Sequence, residues 1–180
     1  FCNAKINSKL EFDWSCSSRI DVLDSEMILH MKEAGCKRIF IGIETGSPRM
    51  QKIIKKNIKI NSVMAKVKLL LDANIDIKIA FIVGYPEESL DDLNFTLDLI
   101  KKLLFINAKY IIMGKLSILP GTEYYDEYGD LLAEIDYDLV SNVCEGLDSK
   151  AFHNLLSSNK ALFSAFYKVP SVVNDVCPHI

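Results

Sequence analysis

The sequence predicts an α/β fold of about four parallel strands with flanking helices, followed by a helical C-terminal tail. Three observations predict it. Short β-branched runs alternate with stretches of helical periodicity, the signature of consecutive βαβ units. Each run ends in a segment rich in Gly, Pro or Ser, which breaks the strand before a helix begins. The chain has 180 residues, 49% hydrophobic and 25% charged, enough to bury one real core. Four such strands make half a barrel or a small open sheet, with right-handed crossovers supplied by the helices.

The elements follow in order. Residues 11–16 alternate Phe12, Trp14 and Cys16 and read as a strand. Asp24 is a suitable N-cap for a helix over 25–34, with Met27, Met31 and Ala34 on one face and Gly35 closing it. Residues 38–43 form a compact β-branched run that suits a buried parallel strand. Ser47 with Pro48 starts a short helix to about residue 55. Asn61 is read as the cap of a second helix, whose Val63, Val67, Leu70 and Leu71 recur at helical spacing. Residues 76–83 are another apolar strand, broken by Gly84, Tyr85 and Pro86. Ser89 with Asp92 resembles a capping box, opening a helix to about residue 104 with a core stripe of Leu93, Leu97 and Ile100. A fourth strand is expected over 110–119, ended by Pro120, Gly121 and Thr122, with a short helix from Glu123. Residues 148–167 read as one amphipathic helix with Phe152, Leu155, Phe163 and Phe166 on its apolar side. The expected division is 1–135 for the strand-bearing part and 136–180 for the extension.

Composition excludes several classes. The net charge is −3, from 21 basic and 24 acidic residues, so no general electrostatic attraction to nucleic acid is expected. No apolar run reaches the roughly 20 residues of a membrane helix, and the first residues do not read as a signal peptide. The five Cys are odd in number and widely spaced, which suits buried thiols in a reducing, cytoplasmic setting better than a disulfide framework or a metal site. His30, His153 and His179 show no partner spacing.

In parallel α/β sheets the active site lies at the C-terminal ends of the strands. That rule gathers 16–21, 44–47, 84–89 and 119–122 on one rim. These segments carry Trp14-Ser-Cys-Ser-Ser-Arg-Ile-Asp21, Ile41-Gly-Ile-Glu-Thr-Gly-Ser47, Phe81-Ile-Val-Gly-Tyr-Pro-Glu-Glu-Ser89 and Leu119-Pro-Gly-Thr122, with Met31-Lys-Glu-Ala-Gly-Cys36 between the first two. In that order and spacing, over about residues 12–130, they resemble radical S-adenosylmethionine (SAM) enzymes. The likeness is greatest to the branch that often carries an upstream cobalamin-binding domain, and the related methylthiotransferases share much of it.

The resemblance implies a partial radical SAM (β/α) barrel running from the family's third strand to its sixth. It also implies the cofactors: SAM, a 4Fe-4S cluster and, through an upstream domain, cobalamin. Glu44 is expected to meet the ribose hydroxyls or the methionine amino group, since a carboxylate accepts from either. Arg19 is expected to bond the SAM carboxylate, against the alternative of an internal pair with Asp21 or Asp24. Ser47, at the end of the same segment as Glu44, is expected among the cofactor-binding residues. Gly84, Glu87 and Glu88 resemble the family's turn after the fifth strand, and the sequence leaves open which Glu matters. Ile82 is expected to give the adenine apolar contact, and Leu119 and Pro120 to present backbone to its edge.

The family's three cluster-binding Cys, spaced Cys-x-x-x-Cys-x-x-Cys, are absent. The reading is that whole strands lie upstream, and that this piece alone could not reduce SAM. No catalytic or metal-ligating residue is therefore assigned within it. The implied partners are a small-molecule or peptide substrate and an electron donor such as flavodoxin or ferredoxin, without nucleic acid or membrane. Methyl transfer and oxidative ring chemistry are the reactions implied. Two other readings stand beside this one: a scaffold or partner-binding module that has lost its cluster, and a βα-barrel enzyme using Glu44 and Glu88 as ordinary acid–base carboxylates.

Overall fold

A computed structural model of the chain describes residues 1–8, 10–132, 135 and 149–176. They divide into two compact units, Phe1–Val83 with Leu90–Gly114, and Gly84–Ser89 with Lys115–Ile180.

The first unit holds α1 (Cys2–Ser8), β1 (Trp14–Ser18), α2 (Ser25–Glu33), β2 (Cys36–Glu44), α3 (Pro48–Ile53), α4 (Ile60–Asp72), β3 (Asp76–Val83), α5 (Leu90–Phe105) and nearly all of β4 (Tyr110–Lys115). The sheet order is β1-β2-β3-β4. The chain thus forms the expected α/β sheet of four parallel strands with flanking helices, a partial barrel. The β1/β2 register sets Ser17 beside Phe40, and the β2/β3 register sets Phe40 beside Lys78.

Strand alternation decides where the core lies. Ile39, Ile41 and Ile43 of β2, with Ile77, Ile79 and Phe81 of β3, are at most 1% exposed and pack with Val63, Val67 and Leu70 of α4 and Leu99 and Leu103 of α5. The other face carries Ser15, Ser17, Arg38, Phe40, Asp76 and Lys78, all exposed. The run 38–43 is therefore buried on one face only. Its helices all feed the same side, so the expectation of a strand buried throughout fails at Phe40.

The local signals place most helix starts. Asp24 accepts from Met27 N at 2.8 Å, and Ser47 caps α3 by accepting from Met50 N at 3.2 Å. Other expectations are corrected. The first strand begins at Trp14, where the indole donates to Ala34 O at 2.7 Å and ties β1 to the end of α2. On α2 it is Ile28 that is buried, while Met27 is 48% exposed. Asn61 is inside α4 rather than capping it, because Ile58 N is already held by Gln51 Oε1 at 3.0 Å and the helix starts at Ile60. The buried stripe of α5 is Asp92, Leu93, Thr96, Leu99 and Leu103, rotated from the expected one toward two polar residues. The fourth strand ends at Lys115.

The second unit contains the turn Gly84–Ser89, α6 (Glu123–Tyr128), α7 (Ser149–Ser158) and α8 (Val172–Val176). Its core is Ile118, Leu132, Ile135, Leu156, Tyr167 and Val169. Ser164 Oγ donates to Ile118 O at 2.8 Å, and Ile135 bridges Tyr167 in antiparallel fashion. The single helix expected over 148–167 stops at Ser158, and Ser164–Phe166 is a separate 3₁₀ turn. Leu156 and Tyr167 both enter this core, and Leu155 is left half exposed.

Among the described residues, Cys2, Cys16 and Cys36 are free thiols, and burial pushes Cys36 up to about 11. Cys144 and Cys177 lie outside the described residues. No described helix is long and apolar enough to cross a membrane.

Candidate functional site

The exit of β2 is tightly held by bonds within the first unit. Glu44 closes the strand at a φ of 67°, in the left-handed region where a non-glycine residue is strained. Its carboxylate pairs with Lys56 Nζ, and the two side chains are only 18% and 21% exposed. Gly42 makes room for this pair, since a Cβ there would collide with the Glu44 carboxylate and sit 3.0 Å from Lys56 Nζ. Lys56 was not expected from the sequence. It follows a short helix in a tight return, and nothing in its neighbours marks it.

Arg19 joins the same cluster. Its Nε donates to Asp21 Oδ1 at 3.0 Å, and its Nη2 donates to Asp21 Oδ2 at 2.8 Å and to Lys56 O at 2.6 Å. The internal pair with Asp21, which the sequence offered as the alternative to a SAM contact, is the one formed, while Asp24 is occupied as a helix cap. The Arg19 guanidinium holds the Asp21 carboxyl below its ordinary value, and Asp21 raises Arg19 in turn. Lys66 Nζ donates to Ile20 O and Asp21 O at 3.0 and 2.8 Å, fixing the loop after β1. Arg19 and Glu44 are thus brought together through Lys56.

Ser47 is not brought to that cluster. It is fully buried, and its hydroxyl donates to Asp92 while accepting from Met50 N. Arg49 reaches the same Asp92 carboxylate at 2.5 Å. Beside it, Gly46 N donates to Thr96 Oγ1 at 2.9 Å, and the Thr45 and Thr96 hydroxyls meet at 3.2 Å. This network explains why Asp92 and Thr96 point inward from α5.

The turn after β3 belongs to the second unit and has a different construction. Gly84 has a φ of 84°, and its N–H donates to Glu88 Oε2 at 2.6 Å. Glu88 is only 1% exposed. Glu87 instead accepts from the Tyr124 and Tyr128 hydroxyls at 3.3 and 3.2 Å. The two phenol rings stack with centroids 5.8 Å apart. Desolvation, then the Glu87 charge, pushes Tyr124 well above the usual phenol value and Tyr128 up to about 12. The two glutamates are separated by role: one holds the turn's backbone, the other two tyrosines. Ile82, in β3 of the first unit, is partly exposed. Leu119 and Pro120 are exposed, and the Leu119 carbonyl already accepts from Thr122 Oγ1 at 2.7 Å.

Among the described residues no three His, Cys, Asp or Glu side chains gather as a metal site. The described residues do not fit a 4Fe-4S cluster, so no cluster ligand is assigned to them.

Comparison with known proteins gives a consistent answer. An uncharacterized methyltransferase of Pyrococcus horikoshii is 27% identical over 176 residues, covering 94% of this chain and 38% of the relative. A tRNA-2-methylthio-N(6)-dimethylallyladenosine synthase of Pelagibacter ubique is 28% identical over 126 residues, covering 69% of this chain and 26% of the relative. The chain therefore spans well under half the length of these relatives. Among solved structures, the cobalamin-dependent S-adenosylmethionine radical enzyme OxsB with aqua-cobalamin bound aligns over 98% of this chain and 30% of its own, with a TM-score of 0.64 and 18% identity, a likeness of fold. The Radical SAM superfamily model matches residues 4–100, more than half of the chain, and on that match the chain belongs to the radical SAM superfamily.

Proposed function

We propose that this chain is the SAM-holding part of a radical SAM enzyme whose cluster-binding loop lies in sequence outside it. The single observation that carries the reading is the Arg19–Lys56–Glu44 cluster at the strand exits of the first unit. SAM presents an ammonium, a carboxylate and a ribose diol. The donor set fits those groups: a guanidinium is suited to the carboxylate, and a carboxylate to the ammonium or the diol. Glu44 would take the ammonium or diol, and Arg19 the carboxylate. Lys56 neutralises Glu44 until a ligand cation or hydroxyl replaces it.

The likeness to a methyltransferase and to a cobalamin-dependent enzyme supports methyl transfer with cobalamin held by another domain. The substrate proposed is a small molecule or peptide, with a flavodoxin or ferredoxin as electron donor; a net charge of −3 gives this chain no general electrostatic attraction to nucleic acid.

The test uses the whole enzyme reconstituted anaerobically. Glu44→Ala is expected to weaken SAM binding by about tenfold or more, the worth of one charge-assisted hydrogen bond, with iron content unchanged. Loss of iron with SAM affinity intact would overturn the assignment.

A further inference from the structure

Glu44 and Lys56 are held in place by a third residue that the reading above does not use. Gln51 lies in α3 and is 1% exposed. Its Nε2 donates to both Ile43 O, at 2.7 Å, and Thr45 O, at 2.8 Å. These are the carbonyls on either side of Glu44. Its Oε1 accepts from Ile58 N at 3.0 Å, and its own backbone carbonyl accepts from Lys56 N at 3.1 Å and Asn57 N at 2.9 Å. One residue therefore bonds the backbone flanking the carboxylate and the backbone carrying the ammonium.

The conformations it spans are unfavourable on their own. Glu44, Lys55 and Asn57 have φ values of 67°, 56° and 57°, and none is glycine. Such residues persist only where the surroundings over-determine them. Gln51 supplies that constraint, with both amide hydrogens and the amide oxygen engaged.

We propose that Gln51 is a positioning residue for the SAM site, setting the direction of the Glu44 carboxylate and the reach of Lys56 without touching the ligand. This rests on the reading that Glu44 meets SAM. A buried glutamine that only satisfied backbone groups would affect stability alone. A positioning residue acts through Glu44, and a double-mutant cycle separates the two.

The experiment measures SAM affinity in the whole enzyme by isothermal titration for Gln51→Met, Glu44→Gln and the double variant. Gln51→Met keeps the side-chain volume and removes the amide. It is expected to weaken SAM about tenfold alone and less than about twofold further in the Glu44→Gln background. Fully additive losses would overturn the proposal. Gln51→Glu is the second variant, which keeps the acceptor for Ile58 N and loses the donors to Ile43 O and Thr45 O. It is expected to behave like Gln51→Met, and wild-type affinity in it would also overturn the proposal. An independent readout is the backbone of residue 44, followed by NMR couplings and shifts. In both variants Glu44 is expected to leave the left-handed region, and an unchanged φ overturns the positioning role whatever the affinities. Should Glu44→Gln alone leave SAM affinity unchanged, the SAM reading falls instead, and the φ measurement decides Gln51's hold on Glu44 by itself.

Discussion

The chain leaves β2 and β3 through the same backbone conformation, with different residues in it. After β3 the left-handed position is Gly84, at a φ of 84°. After β2 it is Glu44, at 67°. Glycine occupies that region at no steric cost, whereas a residue with a Cβ is penalised by roughly 1–2 kcal/mol. If reversing the chain were the whole requirement, glycine would serve both exits. At the β2 exit a glutamate carries that penalty, and its carboxylate pairs with Lys56. The supports differ accordingly. The β2 exit is held by a buried glutamine, two threonines and a serine–aspartate pair, all within the first unit. The β3 exit is held by Glu88 on the Gly84 N–H, within the second.

The largest expected effect tests how rigid the β2 exit is. A Cβ at Gly46 would fall 2.5 Å from Phe95 O and 2.7 Å from Thr96 Cα, both backbone. Gly46→Ala should therefore cost about 3 kcal/mol, at the upper end for overpacking, read from urea unfolding. A near-wild-type stability would show that α5 can move away. At Gly84 the obstacle is the Asn174 side chain, with Oδ1 2.6 Å from the added Cβ. Gly84→Ala should cost about 2 kcal/mol, made up of backbone strain and this contact. Adding Asn174→Ala should recover part of the contact term and none of the strain.

A smaller effect isolates the strain at Glu44. Glu44→Gly and Glu44→Ala both remove the carboxylate, so both should lose SAM affinity alike. Their stabilities should differ, with the glycine variant more stable by about 1 kcal/mol because only glycine accepts the left-handed φ freely. Equal melting temperatures would show that Glu44 is not strained.

The smallest effect concerns the tyrosines. Tyr124 and Tyr128 are raised above their unfolded value near 10, Tyr128 to about 12. Above pH 10 the unfolded chain gives up these protons before the folded one does. Their contribution to stability is therefore complete below about pH 10 and is lost as pH rises toward 12. Solvent screening keeps it small. Glu87→Gln removes the neighbouring charge and should lower both phenol titrations, followed by absorbance. Unchanged midpoints would leave desolvation as the whole cause.

Much of the fold was legible in the chain. The strand over 76–83 was read to the residue, because its apolar run stops at Gly84 and Pro86. Asp24 and Ser47 were read as caps, because a cap bonds a group three residues away. The orientation of α5 was not legible. Its leucines permit more than one apolar face, and the choice was made by Asp92 and Thr96, which answer buried groups on the β2 exit. Arg19 and Glu44 were singled out through the family pattern, and the structure pairs them with Asp21 and Lys56. Lys56 and Gln51 carried no such signal, and Ser47 proved to serve the fold's interior rather than the Arg19–Glu44 cluster.

The sequence by itself determined the order of strands and helices, their caps and the family they belong to, since these rest on spacing and on bonds a few residues long. Only the tertiary structure decided that Lys56 faces Glu44, that Gln51 bonds the backbone on both sides of it, and that Glu87 and Glu88 take separate roles. Each of those depends on chain segments that burial must first bring together, and a hydrogen bond across such a gap leaves no period or motif in the sequence.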